Sequence, residues 1–128
     1  MSELRKYEMN DAEKQLVTAL RSGKYLQGFN VLRSDETHFC CLGVACNIFI
    51  PEKWEHDANC GTYEIENSKA ILPESLREKL NWATHNGETI IYNDGEGFCL
   101  SELNDNCFTF DQIADIIEAG LVRHVFYE

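Results

Sequence analysis

The sequence predicts an α+β fold, a single domain with about four helices around a buried central helix and a small antiparallel sheet or hairpin. Three observations predict it. The stretch His38–Pro51 is apolar on almost every side and carries three of the six cysteines. Two segments open with paired helix-capping residues, at Asn10/Glu13 and at Thr109/Gln112. Between them, Glu88–Tyr92 and Phe98–Leu100 flank Asn93-Asp94-Gly95-Glu96-Gly97, whose Asn, Asp and Gly suit a hairpin turn.

The central stretch is long enough for about three turns of helix and well short of the ~20 apolar residues a bilayer span needs. Pro51 ends it, because proline donates no backbone hydrogen bond and disfavours helix in the residue before it. A helix apolar all round has to be enclosed all round. Gly43 and Ala45 are small enough for another element to approach closely. A strand followed by a tight turn is the competing reading of so short an apolar run.

Taken in order, residues 1–9 read as a frayed arm. Asn10 caps a first helix whose apolar face is Ala12, Leu16, Val17 and Leu20, and Ser22-Gly23 ends it. Lys24–Arg33 shows no period and reads as a turn followed by a short extended or one-turn piece, and Ser34–Thr37 as a polar surface turn. Residues 52–61 are polar and irregular around Trp54, and Thr62–Ile65 alternates as a short strand does. A helix starts with Pro73 at its first position and buries Leu72, Leu76 and Leu80, with Trp82 near its end. Glu88–Tyr92 and Phe98–Leu100 form the hairpin. The last helix is capped by Thr109, with Phe108 and Ile113 spaced as a hydrophobic staple, an apolar face through Leu121, and Gly120 as its stop. Val122–Tyr127 is apolar enough for a terminal strand or an interface.

At 128 residues and 44% hydrophobic content the chain suits one globular domain without repeat or linker. Residues Met1–Gly23 are charged and hold no apolar signal core, so the expected compartment is the cytoplasm, where the six cysteines stay as thiols. The net charge of −11 is uneven: residues 1–34 carry six Lys/Arg against four Asp/Glu, and residues 35–128 carry five against eighteen. Such a surface repels nucleic acid and anionic membranes, so neither is an expected direct partner.

The pattern Ala19-Leu20-Arg21-Ser22-Gly23-Lys24-Tyr25-x-Gln27-Gly28, then Leu32-Arg33, then Phe39-Cys40-Cys41-Leu42-Gly43-Val44-x-Cys46, resembles a family of short uncharacterised proteins of bacteriophages and prophage-bearing bacterial genomes. Trp54, Gly61-Thr62-Tyr63, Leu72-Pro73, Glu102-Leu103-Asn104-Asp105 and Phe110-x-x-Ile113-Ala114-Asp115-x-Ile117-Glu118 extend the likeness over about residues 15–120. The chain departs at Ala45, where the family most often has Leu, and at Cys107, where it has a small residue or Gly. The resemblance implies a phage or prophage origin and carries no activity with it.

Several side-chain sets bear on chemistry. A metal site would need thiolates and imidazoles converging, and His38, Cys40, Cys41 and Cys46 lie close in sequence without a Cys-x-x-Cys pair, so no metal or other cofactor is expected. A cysteine-dependent hydrolase would use Cys40 or Cys41 at a helix N-terminus, where the dipole lowers a thiol's pKa, with His38 or another of the four histidines as base. Asp94, Glu96, Glu102 and Asp105 cluster without the spacing of a calcium loop and suit turns and caps. Arg21, Lys24, Tyr25, Gln27, Asn30 and Arg33 mix cations and an aromatic ring in an irregular segment, which suits an anionic ligand of nucleotide type. The reading that follows is a non-enzymatic phage accessory protein acting by binding a host protein or a small anionic ligand. The alternatives are the hydrolase and an acidic mimic of DNA that occupies a host protein's DNA site.

Overall fold

A computed structural model describes residues 8–93 and 96–125. Most of the expected arm, the Asp94-Gly95 turn and the Phe126-Tyr127 end of the apolar tail lie outside the described residues. The architecture is α+β, with five helices and three two-stranded ladders among the described residues.

The central helix is Cys41–Phe49 (α2). Leu42, Val44, Ala45 and Cys46 have no exposed surface, as an all-round apolar helix requires. The helix reading of the stretch holds, and its first two residues, His38–Phe39 (β2), form a short strand that pairs in parallel with Leu26–Gln27 (β1). Gly43 is where another element comes closest. A Cβ there would overlap the Leu32 carbonyl oxygen, which also accepts from Cys40 N–H at 3.0 Å.

Around α2 lie Asp11–Arg21 (α1), Glu74–Leu80 (α3), Leu100–Asp105 (α4) and Phe110–Glu118 (α5). α1 packs on α5 and on α2, and α2 on α3 and α4. The capping box at Asn10 forms as expected, but its glutamate does more than cap. Glu13 is 1% exposed; it accepts from Asn10 N–H at 3.0 Å and Trp82 Nε1–H at 2.9 Å, and its Oε2 lies 2.6 Å from His124 Nε2. A buried carboxylate needs such partners. These contacts fasten α1 to the segment after α3 and to the C-terminal segment.

The C-terminal segment runs extended between two others. Ile90 N–H donates to Leu121 O and Arg123 N–H to Glu88 O on one side, and Ala83 N–H to Arg123 O on the other, each at 2.8 Å. In the described part of that tail Val122 and His124 make only isolated antiparallel bridges, to Thr89 and Trp82, and not the terminal strand expected.

The structure corrects the sequence reading at five places. Residues 54–57 are not irregular: Trp54–Asp57 (β3) pairs antiparallel with Thr62–Ile65 (β4). Pro73 stands one position earlier than expected, as the N-cap of α3, and Asn81 closes that helix at φ +61°. In the hairpin of Glu88–Asn93 (β5) and Glu96–Cys99 (β6), Leu100 begins α4 and does not extend the strand. Asp105 belongs to α4, where a turn or cap was expected. Phe108 stays 37% exposed while Ile113 is fully buried, so the outer half of the expected staple faces solvent.

Candidate functional site

The doubled cysteine sits at the start of α2, where Cys40 is the N-cap and its Sγ accepts from Gly43 N–H at 3.4 Å. Cys41 donates its thiol to Leu100 O at 3.7 Å. The helix dipole does not win here. Burial pushes the Cys40 thiol up to about 11 and Cys41 well above its ordinary value, because a thiolate loses far more hydration than the helix end returns. Cys46 is raised by burial too. The described polar contacts of the histidines run elsewhere. His38 Nδ1 lies 2.9 Å from Asp35 Oδ1, His85 Nε2 lies 2.7 Å from Glu74 Oε1, and His124 meets Glu13. His56 packs edge-on against Tyr63. No cluster of three or more potential metal-ligating His, Cys, Asp or Glu exists among the described residues.

The six residues expected to bind a ligand separate into different places. Arg21 is held by Asp115 at 2.8 Å and Glu118 at 2.7 Å, where it joins α1 to α5. Gln27 donates to Asn104 Oδ1 at 2.9 Å and to Phe108 O at 2.7 Å. Asn30, in the left-handed region at φ +72°, donates its backbone N–H to Asp105 Oδ1 at 2.7 Å. The Arg33 guanidinium lies 4.0, 4.9 and 5.3 Å from the ring centroids of Tyr63, Phe39 and Trp54, and donates to the carbonyls of Asp35 and Glu36, both at 3.1 Å. Carbonyls therefore take two of its donors, and three rings surround its charge.

Lys24 and Tyr25 do come together, in an open groove of about 410 Å³ between α1 and the end of α2. Lys14, Gln15 and Thr18 line it from α1, and Ile48 from α2. No carboxylate among the described residues lines it. Tyr25 is half-buried; its hydroxyl accepts from Asn47 Nδ2 at 3.1 Å and its ring meets Phe39 edge-on, so both faces of the wall are set before any ligand arrives. Lys14 and Lys24 make no ion pair among the described residues.

A family model described as "Domain of unknown function (DUF8296)" matches residues 9–121. The chain belongs to the DUF8296 family. No curated protein and no solved structure matches it. No described helix of this DUF8296 chain is long and apolar enough to cross a membrane.

The residue that sequence reading passed over is Asn104. It has no exposed surface, its Oδ1 accepts from Cys41 N–H at 3.1 Å as well as from Gln27, and its Nδ2 donates to Gly28 O at 2.8 Å. It satisfies an otherwise orphaned first-turn amide of α2. The signal available was its place inside the Glu102-Leu103-Asn104-Asp105 pattern. Lys14 was missed for a different reason: it sits on the exposed face of α1, and only the fold brings it opposite Lys24.

Proposed function

We propose that this chain is a non-enzymatic accessory protein of a phage or prophage, which binds a small anionic ligand of nucleotide type in the α1–α2 groove, in the cytoplasm of a host cell. The observation that carries the reading is the pairing of the cations. Among the described residues, each other Lys or Arg side chain meets a carboxylate, a carbonyl or an aromatic ring, while Lys14 and Lys24 meet none, and both line the same groove. In a chain of net charge −11, two unneutralised ammonium groups over a floor of Ala19, Tyr25 and Ile48 suit a ligand with one charged and one flat apolar end. The groove's volume lies within the range of small-ligand pockets, about 300–1,000 Å³. Thiols that stay protonated at neutral pH support binding over cysteine-dependent hydrolysis.

Calorimetric titration with phosphate, pyrophosphate, AMP and ADP at low salt tests the reading. The expected result is saturable binding of at least one nucleotide, weakened about tenfold or more in Lys14→Glu/Lys24→Glu and unchanged in Lys53→Glu. No saturable heat with any of the four, or binding that survives the double variant, refutes it.

A further inference from the structure

A second face, distinct from the groove, carries its own inference. We propose that the surface built from Leu26, Phe29 and Phe108 docks a basic, apolar-anchored segment of a partner protein.

These side chains are 55%, 41% and 37% exposed. A lone exposed apolar side chain is ordinary. These three stand on two segments that hydrogen bonds hold together. Gln27 Nε2 donates to Phe108 O at 2.7 Å, Asn104 Nδ2 to Gly28 O at 2.8 Å, and Asn30 N–H to Asp105 Oδ1 at 2.7 Å. Residues 26–30 are thereby fixed along residues 104–108 before any partner arrives, which lowers the ordering entropy that docking has to overcome. Cys107, on one segment, sits at φ +72°, a conformation costly for a residue other than Gly, Asn or Asp, and Asn30, on the other, holds the same φ, which asparagine tolerates.

Charge selects the occupant. From Leu80 to Val122 the chain has eight Asp/Glu and no Lys or Arg. Asp105, exposed, touches residues 26–30 directly through Asn30 N–H, and Asp111, also exposed, follows Phe108 by three residues. Lys24, the cation nearest Leu26 in sequence, lines the groove. A second copy docking about a two-fold axis would set the same carboxylates against themselves. An acidic peptide or a nucleic acid meets the same repulsion. A segment with Lys or Arg flanking aliphatic anchors meets complementary charge and a preformed apolar surface.

The test uses fluorescence anisotropy of a short labelled Lys/Leu amphipathic peptide, with its Glu/Leu counterpart alongside. Expected is saturable binding of the basic peptide only, weakened about tenfold or more in Phe29→Ser/Phe108→Ser. Ile90→Ser, which removes an exposed apolar side chain elsewhere, and Lys14→Glu/Lys24→Glu should bind no less tightly than wild type. Thermal melts establish that the variants fold. Equal weakening by Ile90→Ser, binding that survives Phe29→Ser/Phe108→Ser, or no binding at all overturns the proposal. So does light scattering that shows a wild-type dimer dispersed by Phe29→Ser/Phe108→Ser, since a second copy would then be the occupant. The groove reading stands or falls separately, on the Lys14/Lys24 titration.

Discussion

Replacing Asn104 by Ala should remove the fastening between the doubled-cysteine helix and the loop that lies over it. Its amide makes three described hydrogen bonds from a position with no exposed surface, and two of the partners are backbone groups. Asn104→Ala strands the Cys41 N–H and takes a donor from the Gly28 carbonyl, whereas Gln27 keeps its bond to Phe108 O. A buried polar group left without its partner costs about 1–3 kcal/mol, so two of them cost about 2–6 kcal/mol, a large share of the ~5–15 kcal/mol that holds a domain folded. Asn104→Asp separates the roles of the two ends of the amide. It keeps both acceptor bonds but sets an acceptor oxygen against the Gly28 carbonyl and buries a charge. It should therefore destabilise at least as much as Ala, although it is nearly isosteric. Urea unfolding followed by tryptophan fluorescence measures both, with the midpoint falling and the slope retained. A loss below about 1 kcal/mol for Asn104→Ala would show that the loop and α2 do not depend on this side chain, and the argument for a preformed 26–30 surface would fail with it.

Gly43→Ala should destabilise by about 3 kcal/mol or more, because its Cβ would overlap backbone at Leu32 and no side chain can swing aside; thermal melting reads the loss. Cys107→Gly should stabilise by about 0.5–1 kcal/mol in the same assay by relieving the left-handed conformation at φ +72°. Alkali should unfold the protein through its buried thiols. Cys40 binds its proton more tightly folded than unfolded, so its contribution is intact below about pH 9 and is lost as pH rises through 9 toward 11. Urea unfolding across that range should fall less steeply for Cys40→Ala than for wild type, by up to about 1.4 kcal/mol per pH unit, and identical slopes would refute the buried-thiol account.

What the sequence made legible follows from the range of the signals. The capping boxes at Asn10/Glu13 and Thr109/Gln112, the stop at Pro51 and the β5–β6 pairing depend on residues a few positions apart, and each forms. β3 escaped because Trp54-Glu55-His56-Asp57 has no apolar alternation; it is a strand through its pairing with β4, with Glu55 and His56 left exposed. α4 escaped because its six residues are too few to show a period and open directly from a strand. The groove was half legible. Lys24 and Tyr25 are neighbours in sequence, but Lys14 and Ile48 reach them only through the α1–α2 packing. Arg21, Gln27 and Arg33 have the composition of a ligand set, yet each has a partner far along the chain or on another ladder, at Asp115, Asn104 and Tyr63, which composition does not reveal.

The choice of sulfur at the head of α2 can be argued from the same constraints. An N-cap is ordinarily Ser, Thr, Asp or Asn, whose oxygen is a stronger acceptor than a thiol and is worth about 1 kcal/mol over Ala. At Cys40 the site is 4% exposed, with the Leu32 carbonyl already taken by the Cys40 N–H and approaching Gly43 closely. A hydroxyl there would bring a donor that has to be satisfied in a dry site, at a cost of about 1–3 kcal/mol if it is not, which offsets the better cap. Cysteine keeps a weak acceptor for Gly43 N–H and otherwise behaves as a small hydrophobe. Cys41 meets the same limit one residue on, where Asn104 takes its amide and Leu100 its thiol proton. The burial that makes sulfur the better atom at both positions also keeps both thiols protonated, so packing and unreactivity have a single cause.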